Sequence, residues 1–376
     1  MSRNVPFFNY QKFYTQNEAE LMPLIQDVCR RGAFILQKDL QQFEENLAKY
    51  LGAKYVIGMA NATDALHFLV RAAGIGAGDE VIFCSHTMVA SPASIYFAGA
   101  TPVPVECGAD HLIDPTKIEA AITPRTNTIM PTQLNGRTAN MEAIQEIADK
   151  YGLMILEDSA QALGSKFDGK CAGTFGKGMC ISFYPAKTLG CFGDGGCLIT
   201  NDDEIYETIM LLRDHGRNHD GEVVMWGLNS RLDNLQAAIL DYKLKTYEQD
   251  IERRRDIARM YESRLGTVPG MTLPPGPDSD PRHFDIFQNY EIECDNRDGL
   301  RQHLRDNNIG TLVQWGGKAV HQFPKLKLNR SLPFTEKMFT RCIMLPMNTM
   351  LDDEDIHYVC DCVEQFYATG VKSRAA

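Results

Sequence analysis

Lys187 stands between an apolar, strand-like run, Met179 to Phe183, and a glycine-rich turn from Gly190 to Gly196. A lysine at the mouth of a buried strand loses solvation. Its ammonium form is disfavoured, and the neutral amine becomes a nucleophile toward carbonyls. Upstream, Leu153-Met154-Ile155-Leu156 reads as a second buried strand, ending in Glu157-Asp158. Ligands of parallel α/β sheets bind beyond the C-terminal strand ends, where Asp158 would sit. Each residue also has a plainer reading, Lys187 as an exposed loop lysine and Asp158 as a turn or cap residue. Together they match one chemistry. A lysine condenses with the aldehyde of pyridoxal 5'-phosphate (PLP), and a carboxylate pairs with the protonated pyridine nitrogen. Gln161, three residues beyond Asp158, could reach the cofactor's phenolic oxygen.

A phosphate also needs a seat. Asn61-Ala62-Thr63-Asp64 opens a helix directly after a strand. Free N–H groups and the positive end of the helix dipole favour an anion there, although the same residues also make an ordinary N-cap. Ser182 could add a hydroxyl. No GxGxxG follows a strand and no GxxxxGK[ST] occurs, which argues against a dinucleotide enzyme or a P-loop NTPase.

The elements that position these groups alternate. Strands are expected at 54–58, 80–83, 102–105, 128–130 and 153–156. Helices are expected at 63–73, 89–98 and 141–151, with glycines closing them. This pattern predicts an α/β fold with a mostly parallel sheet covered on both faces. Before it come two helices, the first started by a capping box at Asn17 and Glu20 and the second running from Leu40 to Tyr50. Residues 231–265 contain a long helical stretch with no proline, and no glycine before its end. The texture then changes: a Pro/Gly/Asp-rich loop (269–281), strands at 287–292, 311–314 and 343–345, and helices at 297–305 and 354–367. We expect a large domain over 1–245 and a smaller C-terminal α/β domain over 246–376, with 371–376 a disordered tail.

The chain has 376 residues, 44% hydrophobic and 23% charged, with a net charge of −11, ordinary for a soluble enzyme and unfavourable for a nucleic-acid binder. Eleven cysteines include no CxxC pair and read as free thiols of a reducing compartment. His215 and His219 lack clustered partners, so no metal is expected. No signal-like or membrane-spanning apolar run is seen, which makes a cytoplasmic location the expectation.

Five segments carry a resemblance: Asn61 to Leu66, GIGAGDEVI (74–82), EDSAQA (157–162), SFYPAKTLGCFGDGG (182–196) and GLNSRLDNLQAA (227–238). In this order the chain resembles the DegT-type family of PLP-dependent nucleotide-sugar aminotransferases, which have the fold-type-I (aspartate aminotransferase-like) architecture. The resemblance implies that Lys187 is the Schiff-base lysine, Asp158 the partner of the pyridine nitrogen and Gln161 the phenolic-oxygen contact. Ala62, Thr63 and Ser182 would hold the phosphate. Asn229 matches the residue that reaches the phosphate from the other subunit, so a homodimer with shared sites is implied.

Three departures stand out. Met88 occupies the place of a ring-stacking aromatic, Gln133-Leu134-Asn135-Gly136 replaces HLYG, and Gln314-Trp315-Gly316-Gly317-Lys318 replaces a His-Tyr-Pro segment. The resemblance puts His86, Gln133, Trp315, Lys318 and His321 near the substrate. The implied activity moves the amino group of glutamate to a keto-sugar nucleotide, a 3- or 4-keto-6-deoxy sugar, yielding 2-oxoglutarate. The alternatives are a PLP-dependent sugar dehydratase, a branch in which histidine replaces the lysine, and a non-catalytic regulatory protein of the same fold.

Overall fold

The computed structural model describes residues 3–374. Seven strands build the main sheet: Tyr55–Met59 (β1), Glu80–Cys84 (β2), Thr101–Val105 (β3), Thr126–Met130 (β4), the pieces Met154–Ile155 and Glu157–Asp158 of one strand (β5), Met179–Ser182 (β6) and Gly196–Thr200 (β7). Leu156 joins the two pieces of β5, its N–H donating to Ile129 and that of Asp158 to Pro131. The order is therefore β3-β2-β4-β5-β6-β7-β1. β7 alone runs antiparallel, pairing with both β6 and β1. The strands are apolar on both faces because helices cover both, and every residue of β2 and β7 is buried.

This topology gathers the chemistry at one sheet edge. β5 and β6 end there in Asp158 and Ser182, β1 ends there before Asn61, and the reversed β7 starts there after Gly195. Helix Ala62–Ala72 follows β1, with Asn61 as its cap: the Asn61 Oδ1 accepts from the N–H of Asp64 at 2.8 Å.

A second core gathers Ile257, Tyr261, Tyr290, Ile292, Leu300, Ile343 and Val359 around an antiparallel sheet of Met271–Thr272, Tyr290–Cys294 and Cys342–Leu345. The boundary expected at 245/246 is crossed by packing. Tyr247 and Ile251 join the first core, and Val5 joins the second.

Local expectations failed where tertiary contacts intervened. The first helix spans Tyr10–Arg31 and is capped by Asn9, not Asn17. Asn17 lies inside it, its side chain donating to the Phe13 carbonyl at 2.8 Å. The stretch 231–265 is two helices, Asn234–Leu244 and Tyr247–Leu265. Between them the chain turns so that Tyr247 is buried, its hydroxyl meeting Thr188 and the Leu163 carbonyl, each at 2.7 Å. Residues 311–314 form only an isolated bridge, Leu312 with Met344, before a 3₁₀ turn at Gln314–Gly317. The last helix, Asp353–Arg374, continues through much of the expected tail, and residues 375–376 lie outside the described residues. All eleven cysteines are free.

Candidate active site

A cavity of about 540 Å³ opens at the C-terminal edge of the sheet and is lined by Lys187, Asp158, Gln161, Ala62, Thr63 and Ser182, among others. Lys187 sits in a tight turn in which its N–H donates to Tyr184 O at 2.8 Å. Gln288 clamps that turn, donating to Ala186 O at 2.8 Å and accepting from Thr188 N at 2.7 Å. Burial lowers the Lys187 pKa to about 8, and the charge of Asp158 offsets only part of this. The amine thus keeps a usable neutral fraction near neutral pH.

Asp158 is buried at the end of β5. One carboxylate oxygen accepts from Ser91 Oγ at 2.6 Å and the other from Ala160 N at 3.1 Å. Ser91 and Thr87 share a 2.7 Å bond, and Thr132 donates to Thr87 at 3.0 Å. A chain of hydroxyls therefore steadies the carboxylate. The Gln161 Oε1 accepts from the Asn135 N–H at 3.0 Å and from Asn289 Nδ2 at 3.2 Å. Its amide NH₂ is left to donate into the cavity.

At the other end, Asn61 caps Asp64 and leaves the N–H groups of Ala62 and Thr63 at the cavity wall. Gly196 passes so close to this helix start that a Cβ on it would lie 2.5 Å from Ala62 N. This is an open, donor-rich cradle of the kind a phosphate occupies. Lysine, acid, amide donor and cradle all face one space, and they fit PLP.

The remaining expected site residues divide. Met88, 53% exposed, and Trp315 line the cavity. Five others do not line it. His86 is buried, its Nδ1 donating to His111 O at 3.0 Å. Gln133 is fully buried, tying Glu157 at 2.8 Å to Ala139 N at 2.7 Å. His321 is buried between Ser85 at 2.7 Å and Glu336 at 3.1 Å. Lys318 and Asn229 are exposed. Among the polar residues that line the cavity without having been singled out as site residues from the sequence are Gln288, Asn289 and Gln314. Gln314 stands in the departure QWGGK, which was the one available signal. Gln288 and Asn289 arrive from the second core and carry no local pattern.

No metal was expected, yet His86, His111 and Glu291 offer donor atoms within 4.8 Å of one another. The carboxylate is already bonded to His111 at 3.0 Å, Asn135 at 3.1 Å and Gln314 at 3.0 Å.

A carboxylate at the end of β5 and a lysine in the turn that follows the adjoining β6, in a mixed seven-stranded sheet and facing a helix N-terminus, are the arrangement of a fold-type-I PLP enzyme. The family follows from comparison. The profile of the DegT/DnrJ/EryC1/StrS aminotransferase family matches residues 15–364, and the chain belongs to that family. It is 39% identical to a pleiotropic regulatory protein of Geobacillus stearothermophilus, over 97% of this chain and 99% of that one. It is 38% identical to the dTDP-3-amino-3,4,6-trideoxy-alpha-D-glucose transaminase of Streptomyces venezuelae, over 96% of each. It is also 38% identical to the UDP-2-acetamido-2-deoxy-3-oxo-D-glucuronate aminotransferase of Pseudomonas aeruginosa, over 89% of this chain and 93% of that one. The crystal structure of S. venezuelae DesV superposes with a TM-score of 0.93 at 37% identity, covering 97% of this chain and 98% of that one.

Proposed function

We propose that this protein transfers the amino group of glutamate to the 3-keto carbon of a nucleotide-linked sugar. The observation that carries the reading is the partly neutral Lys187 sharing one cavity with the buried Asp158. The choice of carbon 3 is supported by the names of the two sugar-nucleotide relatives, both of which refer to that position.

PLP, when bound, supplies the electron sink that lets nitrogen pass between the two substrates. The Lys187 Nζ would hold the cofactor covalently and would take and return the proton at the reacting substrate carbon. Asp158 would pair with the protonated pyridine nitrogen. The N–H groups of Ala62 and Thr63, with the Ser182 hydroxyl, would hold the phosphate. Gln161 would donate to the phenolic oxygen, and the Met88 thioether would pack against the ring.

Lys187 is the single cationic side chain among the described residues lining the cavity. A donor carboxylate and a nucleotide diphosphate call for more positive charge than this lining carries. We assign the missing donors to a second subunit. Asn229 supports this assignment: it is exposed, next to Leu228 and near Val223, Val224 and the 90% exposed Trp226. Apolar residues exposed together mark an interface.

A regulatory role has only the names of relatives behind it, the Geobacillus pleiotropic regulatory protein and a Saccharopolyspora erythraea sensory transduction protein. The complete set of Lys187, Asp158 and Gln161 favours turnover, and Lys187 itself disfavours the dehydratase branch. The test is an absorbance spectrum. A yellow holoprotein should bleach with glutamate and recover its colour with a 3-keto-sugar nucleotide from a panel that includes 4-keto, 6-deoxy and uronic members. Failure to bleach with glutamate or any other amino donor would refute the transaminase reading.

A further inference from the structure

Behind the cavity wall lies a buried polar cluster centred on Glu291, which was not among the expected site residues. Glu291, on strand Tyr290–Cys294, is 1% exposed. Its Oε2 meets His111 Nδ1 at 3.0 Å and Asn135 Nδ2 at 3.1 Å, and its Oε1 accepts from Gln314 Nε2 at 3.0 Å. The Asn135 Oδ1 accepts from Gln314 Nε2 and from Asn289 Nδ2, each at 2.9 Å. Asn135 N and Asn289 Nδ2 then both donate to the Gln161 Oε1.

We propose that Glu291 is a positioning residue: by holding the Asn135 side chain it fixes where the Asn135 backbone N–H and the Asn289 amide meet the Gln161 Oε1, and so where Gln161 donates into the cavity. The inference rests on the reading that Gln161 meets the cofactor's phenolic oxygen.

An ionised carboxylate only accepts, so Asn135 and Gln314 must turn their NH₂ groups toward Glu291. The Asn135 Oδ1 then faces Asn289 and Gln314, which must donate to it. A backbone N–H only donates, so Gln161 must present its oxygen to Asn135. The Gln161 NH₂ is left pointing the other way. The unambiguous groups at the two ends dictate every amide orientation between them.

Burial works against the Glu291 charge, but His86, His111 and Asn135 outweigh it and hold the carboxyl down at about 2. His86 is itself neutral at neutral pH, lowered to about 4 chiefly by burial. The balancing cation is therefore His111, held at about 9 against burial by Glu291 and Glu293. Asn135 occupies a left-handed backbone position at φ 57°, and its side chain bridges to Glu291 from there.

The test compares Glu291→Gln, Asn135→Gly and Gln161→Leu. A neutral amide at 291 can donate as well as accept and no longer dictates the orientation of Asn135. Glycine at 135 suits the positive φ and removes the bridge while sparing the Glu291–His111 pair. Apoprotein is titrated with PLP, and the visible absorbance of the bound cofactor is then titrated with pH. A donor at the phenolic oxygen favours the deprotonated cofactor, so losing it raises the midpoint. Lys187, Asp158 and Asp194, which line the same cavity, are unchanged in all variants.

We expect each single variant to weaken PLP about tenfold and to raise the midpoint by up to about one pH unit. The double variant Glu291→Gln/Gln161→Leu should do no more than Gln161→Leu alone. If Gln161→Leu moves both readouts and the other two move neither, Gln161 keeps its direction without Glu291 and the proposal falls while the cofactor contact stands. If the double variant is additive, Glu291 acts on general structure and the proposal is overturned. If Gln161→Leu moves neither readout, the underlying contact is wrong and the proposal fails with it. Should Glu291→Gln not fold, Asn135→Gly carries the same comparison.

Discussion

Replacing Lys187 with methionine should make the apoprotein more stable while removing its chemistry. Burial takes the lysine from its ordinary value of 10.5 to about 8. The folded state therefore binds fewer protons than the unfolded state between those two values. Below pH 8 the amine is charged in both states and the full desolvation cost is present, and stability recovers as pH rises from 8 to 10.5. The difference between the two values, at ~1.36 kcal/mol per pH unit, bounds the cost at ~3 kcal/mol. Lys187 faces a cavity that solvent can enter, so we expect about 1–3 kcal/mol. Methionine is of similar length and uncharged, and it fills the same space.

The assay is urea unfolding of the PLP-free protein, wild type and Lys187→Met, at fixed concentration because subunit association adds to apparent stability. The variant should gain about 1–3 kcal/mol at pH 7, and the gain should shrink toward zero by pH 10.5. It should also retain no cofactor after borohydride treatment. If the variant is no more stable at pH 7, or its gain stays constant from pH 8 to 10.5, burial does not strain this lysine. Lys187 would then not owe a neutral, nucleophilic amine to its burial.

Asp158→Asn should lower the transamination rate on the order of a hundredfold, the weight of one charge-assisted hydrogen bond, while changing PLP content little; wild-type rates in both half-reactions would make Asp158 a turn residue. Met88→Phe should tighten PLP by up to about tenfold through ring stacking, measured by titrating apoprotein, and a raised KM for the keto-sugar instead would show that Met88 leaves room for substrate. Gly196→Ala should weaken PLP by tenfold or more with circular dichroism unchanged, because the added Cβ would lie 2.5 Å from backbone atoms of Asn61 and Ala62 that cannot swing aside; unaltered affinity would remove the phosphate from this cradle.

The alternation of strand and helix, the strand that ends in Asp158, the helix opened by Asn61 and the turn that carries Lys187 were all legible in the chain. Each is a local matter. Period-2 and period-3.6 burial, glycine stops and an asparagine cap act over a few residues, and the ends of neighbouring parallel strands share one edge by rule. The direction of β7, the break before Tyr247 and the identity of the polar wall were decided by packing. His86 and Thr87 are adjacent in sequence, yet Thr87 lines the cavity while His86 turns into the cluster with His111 and Glu291. Gln288 and Asn289 lie about a hundred residues beyond Lys187 and reach it only because the second core docks its return strand against the site. Side-chain direction and long-range docking depend on which surfaces meet, and no short window of sequence holds that information.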